Sequence, residues 1–306
     1  MDQEPIQTMN TAYSDSLLER FCRYVRMDTQ ADEKSGIYPS SPGQLELGRM
    51  LVHELTSLGL NQVRQTEFGI VHATIPSTVA GPVPTIAFLA HLDTSPETCG
   101  HNVQPQVIRN YSGCAVPLSK EPTRILDPVI YPELNKCIGR TIITTDGTTL
   151  LGADNKAGVA VIMEAASYLV HHPEIPHGEI KICFTCDEEI GHGVDHLELD
   201  DLQATVAYTL DGGGEGIIEA ETFSADRVEM TITGVNIHPA IPTIGIDIAS
   251  TKKEESMIML IITERAPEQF PTQLFFRMVG WLEVFPGPGH WIVTEGMPTH
   301  VEDKFL

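Results

Sequence analysis

The sequence predicts an α/β fold, a layered domain built on a mostly parallel central sheet. Three observations point to it. Strand-like segments, either alternating or continuously apolar, are interleaved with segments of helical period between residues 14 and 210. One of them, 85–90, is apolar throughout, as expected of a strand buried on both faces. The strand segments also end in clusters of histidine, carboxylate and glycine, and sheets of this kind collect their sites at the carboxyl ends of strands.

Along the chain, residues 14–28 read as an amphipathic helix, with Leu17, Leu18, Phe21, Cys22, Tyr24 and Val25 recurring at helical spacing. A polar loop over 29–43 closes in Ser-Ser-Pro-Gly. A second helix runs over 43–58 and stops at Gly59. Short strands follow at 62–65, 70–75 and 85–90. The stretch 95–140 is long, irregular and broken by prolines, and loops of that size are functional or carry small sheets of their own. A strand over 141–145 leads through the tight-turn signal Asp146-Gly147 to a helix over 155–172. Then come a strand at 179–185, a short helix within 192–203 and a strand at 205–210. Residues 223–234 alternate through Val228, Met230 and Ile232 like an exposed antiparallel strand, whereas 264–306 show neither period nor capping signals.

Composition narrows the class. With 306 residues, 42% hydrophobic and 20% charged, the chain can build a sizeable core in one large domain or two smaller ones. A net charge of −23 argues against nucleic acid and anionic membranes as partners. The six cysteines are scattered, as in a cytosolic protein with reduced thiols. Cys183 and Cys186 form a Cys-x-x-Cys, but the run around them alternates like a strand, and that reading is favoured over a zinc site. The first 14 residues lack the apolar centre of a signal peptide and no run is long enough to span a membrane, so the expected location is the cytoplasm.

Four strand ends carry the chemistry. His91-Leu92-Asp93 places two polar side chains on one face of an extended segment, where His91 can bind a metal and Asp93 can orient its other ring nitrogen. By itself the pair is also an ordinary polar strand end. Asp154, in Gly152-Ala153-Asp154-Asn155, opens a helix, and a carboxylate there can cap the helix or bridge two cations. Asp187, Glu188 and Glu189 are three consecutive carboxylates after a buried strand, where mutual repulsion calls for cationic compensation; one could bind metal while its neighbour takes a proton from water. Asp211 ends the last strand before three glycines. Together, one histidine and several carboxylates suit zinc, or less specifically cobalt or manganese, and two such ions make a clamp for hydrolysis.

In this order, the four motifs resemble those of the peptidase T (tripeptide aminopeptidase) family of co-catalytic zinc exopeptidases. The likeness spans roughly 14–243 and includes His91-Leu-Asp-Thr-Ser-Pro, Leu150-Leu-Gly-Ala-Asp-Asn-Lys-Ala-Gly, Asp187-Glu-Glu, Leu210-Asp-Gly-Gly-Gly and Asn236-Ile-His-Pro. It implies a catalytic domain over 1–215, followed over 216–244 by the start of a smaller α+β lid domain. It implies two zinc ions, one held by His91 and Asp211, the other by Glu189, with Asp154 bridging. Asp93 would orient His91, Glu188 would be the general base acting on water, and His238 would reach over the substrate from the lid. The expected partner is a short peptide, with no nucleic acid or membrane, and a homodimer is left open. A zinc carboxypeptidase or N-acyl amino acid deacylase with the same metals is the sibling alternative. The sequence also departs from the family pattern. Ala240-Ile-Pro stands where the family has glycine after the lid histidine, and 245–306 show no recognisable part of the family pattern and supply no recognisable final zinc histidine. An incomplete site, and with it an inactive family fragment, is therefore a second expectation, with His290 and His300 the remaining substitutes.

Overall fold

Apolar residues four apart on one helical stripe set the first layer. The computed structural model describes residues 11–211 together with 217 and 218. In it α1 (Thr11–Tyr24) and α2 (Pro42–Ser57) come first along the chain, and α2 buries Leu47, Leu51 and Leu55 completely along one face. Each such leucine contributes roughly 1.5–3 kcal/mol by burial. The rest of the order is β1 (Asn61–Gln65), β2 (Val71–Ile75), β3 (Ile86–His91), β4 (Gln106–Ile108), β5 (Val116–Pro117), β6 (Ile125–Leu126), β7 (Ile142–Thr144), α3 (Ala153–His171), β8 (Ile180–Thr185), α4 (Leu199–Leu202) and β9 (Val206–Thr209).

The central sheet has five strands in the order β1-β2-β8-β3-β9. β8 pairs in parallel with β3, and β3 in parallel with β9. β2 runs antiparallel between β1 and β8. Every strand but β2 therefore points the same way, and the expected mostly parallel sheet is present. Alternate residues divide the core between its faces. Val71, Ala73, Ile75, Ala90, Ile182 and Phe184 belong to the large cluster shared with α1, α2 and α3, whereas Ala87 and Cys183 join only Ile70 and Leu202 in a small second cluster.

That imbalance corrects one expectation. In β3 only Ala87, Ala90 and His91 are fully buried, and Ile86, Phe88 and Leu89 are half-buried. Among the described residues the second face is covered by little more than the short α4 with Leu197 and Ala204 beside it, and the neighbouring β9 is exposed along its whole length. The helix expected within 192–203 contracts to α4, and a 3-10 turn, Glu188–Ile190, precedes it. The irregular stretch does carry its own small sheets, β5 with β6 and β4 with β7, so the strand expected over 141–145 lies outside the central sheet. The readings of the lid domain over 216–244, of His238 and of segment 245–306 concern residues that lie, apart from 217 and 218, outside the described residues.

Candidate metal centre

Three adjacent parallel strands, β8, β3 and β9, deliver their carboxyl ends to one place. His91 is the last residue of β3 and is 2% exposed. Asp93, fully buried two residues on, has Oδ1 3.3 Å from His91 Nδ1. The same carboxylate accepts the backbone N–H of Glu188 on Oδ1 at 3.0 Å and that of Glu189 on Oδ2 at 2.9 Å. One side chain thus orients the imidazole and fixes the turn that leaves β8.

With Nδ1 held, Nε2 faces the carboxylates. It lies 3.0 Å from Asp154 Oδ1, 3.7 Å from Glu188 Oε2 and 3.7 Å from Asp211 Oδ2. The residue flanking the start of α3 is Gly152, in the left-handed region at φ 74°, and no side chain caps the helix. The carboxylate of Asp154 is turned to His91. Asp211 is held where β9 ends, with Leu210 N–H donating to Leu89 O at 2.8 Å. Gly158 lets α3 approach that exit, since a Cβ at this position would lie 2.4 Å from Leu210 O.

The electrostatics follow from crowding. Burial alone would lower the His91 pKa, but the bond to Asp93 and the charges of Asp93, Asp211 and Glu188 outweigh it and lift it to about 9. Burial raises the Asp211 carboxyl; His91 opposes the rise, while Asp154 and Glu188 add to it. Burial first, and then the charge of Asp154, pushes Glu189 up to about 7. Asp154 and Asp211 bring carboxylate oxygens within 4.8 Å of each other, and two carboxylates this close favour a proton or a cation between them. One donor atom each from His91, Asp154 and Asp211 lies within 4.8 Å of the others, and such a set can hold a divalent metal ion.

Five of the expected site residues, His91, Asp93, Asp154, Glu188 and Asp211, are therefore brought together. Glu189 stands beside Asp154 in electrostatic terms but is not part of the three-donor set. The compensation expected for three consecutive carboxylates takes another form at Asp187. Its side chain is 1% exposed and accepts hydrogen bonds from Ser40 and Gln44. Sequence reading passed over these two partners, and a separation of 143 residues between Gln44 and Asp187 leaves no local signal. It also gave no role to Lys156, which is 2% exposed and donates from Nζ to Met27 O at 2.7 Å. Burial pushes this amine down to about 8 against the charges of Asp28 and Asp93. A lysine inside an otherwise apolar helical run was the available sign.

No family model matches the chain. Among curated proteins, peptidase T of Halothermothrix orenii is 48% identical over 257 residues, 83% of this chain and 61% of the relative. Peptidase T of Geobacillus thermodenitrificans is 51% identical over 223 residues, 73% of this chain and 54% of the relative. The chain belongs to the peptidase T family. It spans between 54% and 61% of the length of these peptidase T relatives. Among solved structures, aminopeptidase PepT from Bacillus cereus matches with 27% identity and a TM-score of 0.47, covering 65% of this chain and 44% of that one. A tripeptidase from Staphylococcus aureus matches with 26% identity and a TM-score of 0.45 over the same shares. The assignment to peptidase T rests on the sequence relatives.

Proposed function

We propose that this chain is a metallo-aminopeptidase that releases the N-terminal residue of short peptides, tripeptides foremost, with two zinc ions. The observation that carries the reading is the meeting of His91, Asp154 and Asp211 within 4.8 Å at strand ends, with Glu188 Oε2 3.7 Å from His91 Nε2. His91 and Asp211 would hold one ion, Glu189 would help hold the other, and Asp154 would lie between them; metal bound there supplies Lewis acidity toward a carbonyl. Asp93 keeps His91 Nε2 pointing at the cluster. Glu188 is half-exposed, so its Oε2 is open to take a proton from the attacking water and return it to the leaving amine. His238 is the lid residue proposed to face the peptide. All six cysteines are free, which supports a cytoplasmic setting.

Metal content and turnover, measured on one preparation, test this. Two zinc ions per chain should accompany hydrolysis of a tripeptide with a free N-terminus, and an N-acetylated tripeptide should resist. Glu188→Gln should lower kcat by about 10²–10⁴-fold with metal content unchanged. Cleavage of the acetylated peptide instead would point to the deacylase alternative. A second reading, an inactive family member, is favoured by the single imidazole in the donor set among the described residues. One zinc or none, with no turnover, would establish it.

A further inference from the structure

We propose that Asp187 is a positioning residue, and that its lock to Ser40 and Gln44 sets where Glu188 and Glu189 stand in the metal centre. The consequence for metal binding rests on the reading given above; the lock itself does not.

The chain must reverse sharply where it leaves β8. Asp187 takes the left-handed conformation, φ 57° and ψ 33°, which an aspartate adopts more readily than bulkier residues. A 3-10 turn follows at once, closed by Gly191 N–H to Glu188 O at 2.8 Å and His192 N–H to Asp187 O at 2.8 Å. Such a turn can adopt many attitudes unless it is held. Here it is held from two sides. On one side Asp93 accepts the N–H groups of Glu188 and Glu189. On the other, Asp187 Oδ2 accepts Ser40 N–H at 2.6 Å, and Oδ1 accepts both the Ser40 hydroxyl and Gln44 Nε2, the latter at 2.6 Å. Gln44 closes the pair by accepting Asp187 N–H on Oε1 at 3.0 Å. Ser40, Gln44 and Asp187 are 5%, 0% and 1% exposed, so water cannot replace a lost partner.

The lock has two effects on the centre. It draws one of three consecutive carboxylates away from the cluster, so that Glu188 and Glu189 alone face it. It also ties the turn to the first turn of α2, a packed helix, so the attitude of both glutamates is inherited from the helical layer. Partners bonded directly to a metal ligand commonly change metal affinity by about 10–100-fold when removed, and this lock reaches Glu189 through the backbone of the turn.

Amide hydrogen exchange and zinc titration of Gln44→Met and of the milder Ser40→Ala test the inference. The Glu188 and Glu189 amides should exchange at least about tenfold faster than in the parent, while those of β3 and β8 keep their protection. Zinc affinity should fall by about 10–100-fold. A merely structural role would instead speed exchange evenly across the sheet, and that result overturns the proposal. So does parental exchange at Glu188 and Glu189, or parental zinc affinity in a variant whose turn exchanges faster. If Gln44→Met does not fold, Ser40→Ala decides. If the parent takes up no zinc, the proposed function fails and the exchange rates still decide whether the lock holds the turn.

Discussion

Asp93 carries more duties than any other side chain of the site, and its removal separates them. It orients His91 and accepts two backbone N–H groups while fully buried. Asp93→Ala would leave both amides without acceptors, at about 1–3 kcal/mol each. A thermal melt should therefore fall well beyond what loss of one surface carboxylate causes, and zinc affinity should drop by about 10–100-fold in a titration of the variant. Part of this was legible in the residues. The spacing of two between His91 and Asp93 announces the imidazole contact, because alternate residues of an extended segment share a face. The bonds to Glu188 and Glu189 cross 95 and 96 residues of chain, and no local pattern encodes them.

At the level of elements, the site depends on a close contact between α3 and the exit of β9. Replacing glycine by alanine inside a helix ordinarily stabilises it by about 1 kcal/mol. At Gly158 the new Cβ would lie 2.3 Å from Asn155 Oδ1 and 2.4 Å from Leu210 O, and overpacking of that kind costs about 1–3 kcal/mol. The clash wins, so Gly158→Ala should lower the melting temperature and weaken zinc binding by moving Asp154 away from Asp211. A variant that melts higher and binds zinc as the parent does would show that helix and strand are free to part. Elements with a sustained period, α1, α2 and α3, were readable from sequence to within a few residues. Burial of β3 was not, because an apolar run does not reveal what covers each face. The short α4 could not be read either, since four residues carry no period.

Across the whole molecule His72 should contribute an acid limb, which Glu189, pushed up to about 7, opposes over much of the same pH range. His72 is 6% exposed on β2, and burial, aided by Arg64 and Lys181 and opposed by Asp201, pushes its pKa down to about 4. An unfolded histidine titrates near 6.5. Between these values the unfolded chain holds the extra proton, so this contribution is complete above about pH 6.5 and is lost as pH falls toward 4. His72→Gln should flatten that limb in melts recorded across the window, and an unchanged slope would show that other groups set it. The sheet order that places His72 opposite Cys183 was beyond sequence reading. Pairing β2 with β8 joins segments more than a hundred residues apart, and nothing in either strand names its neighbour.

The position of β9 at the end of the sheet adds a last consequence. Among the described residues it is hydrogen-bonded to β3 alone, its four residues are all exposed, and Asp211 hangs from its end. A strand secured along one margin frays more readily than a central one, and each opening carries Asp211 away from His91. Ion capture and closure of this margin are then linked by mass action: an ion that binds only the closed form deepens that state by RT ln(1 + [L]/Kd). Zinc should slow amide exchange across Val206–Thr209 in proportion to its concentration and leave β8 untouched, so that an edge strand of the sheet reports the occupancy of the site it carries.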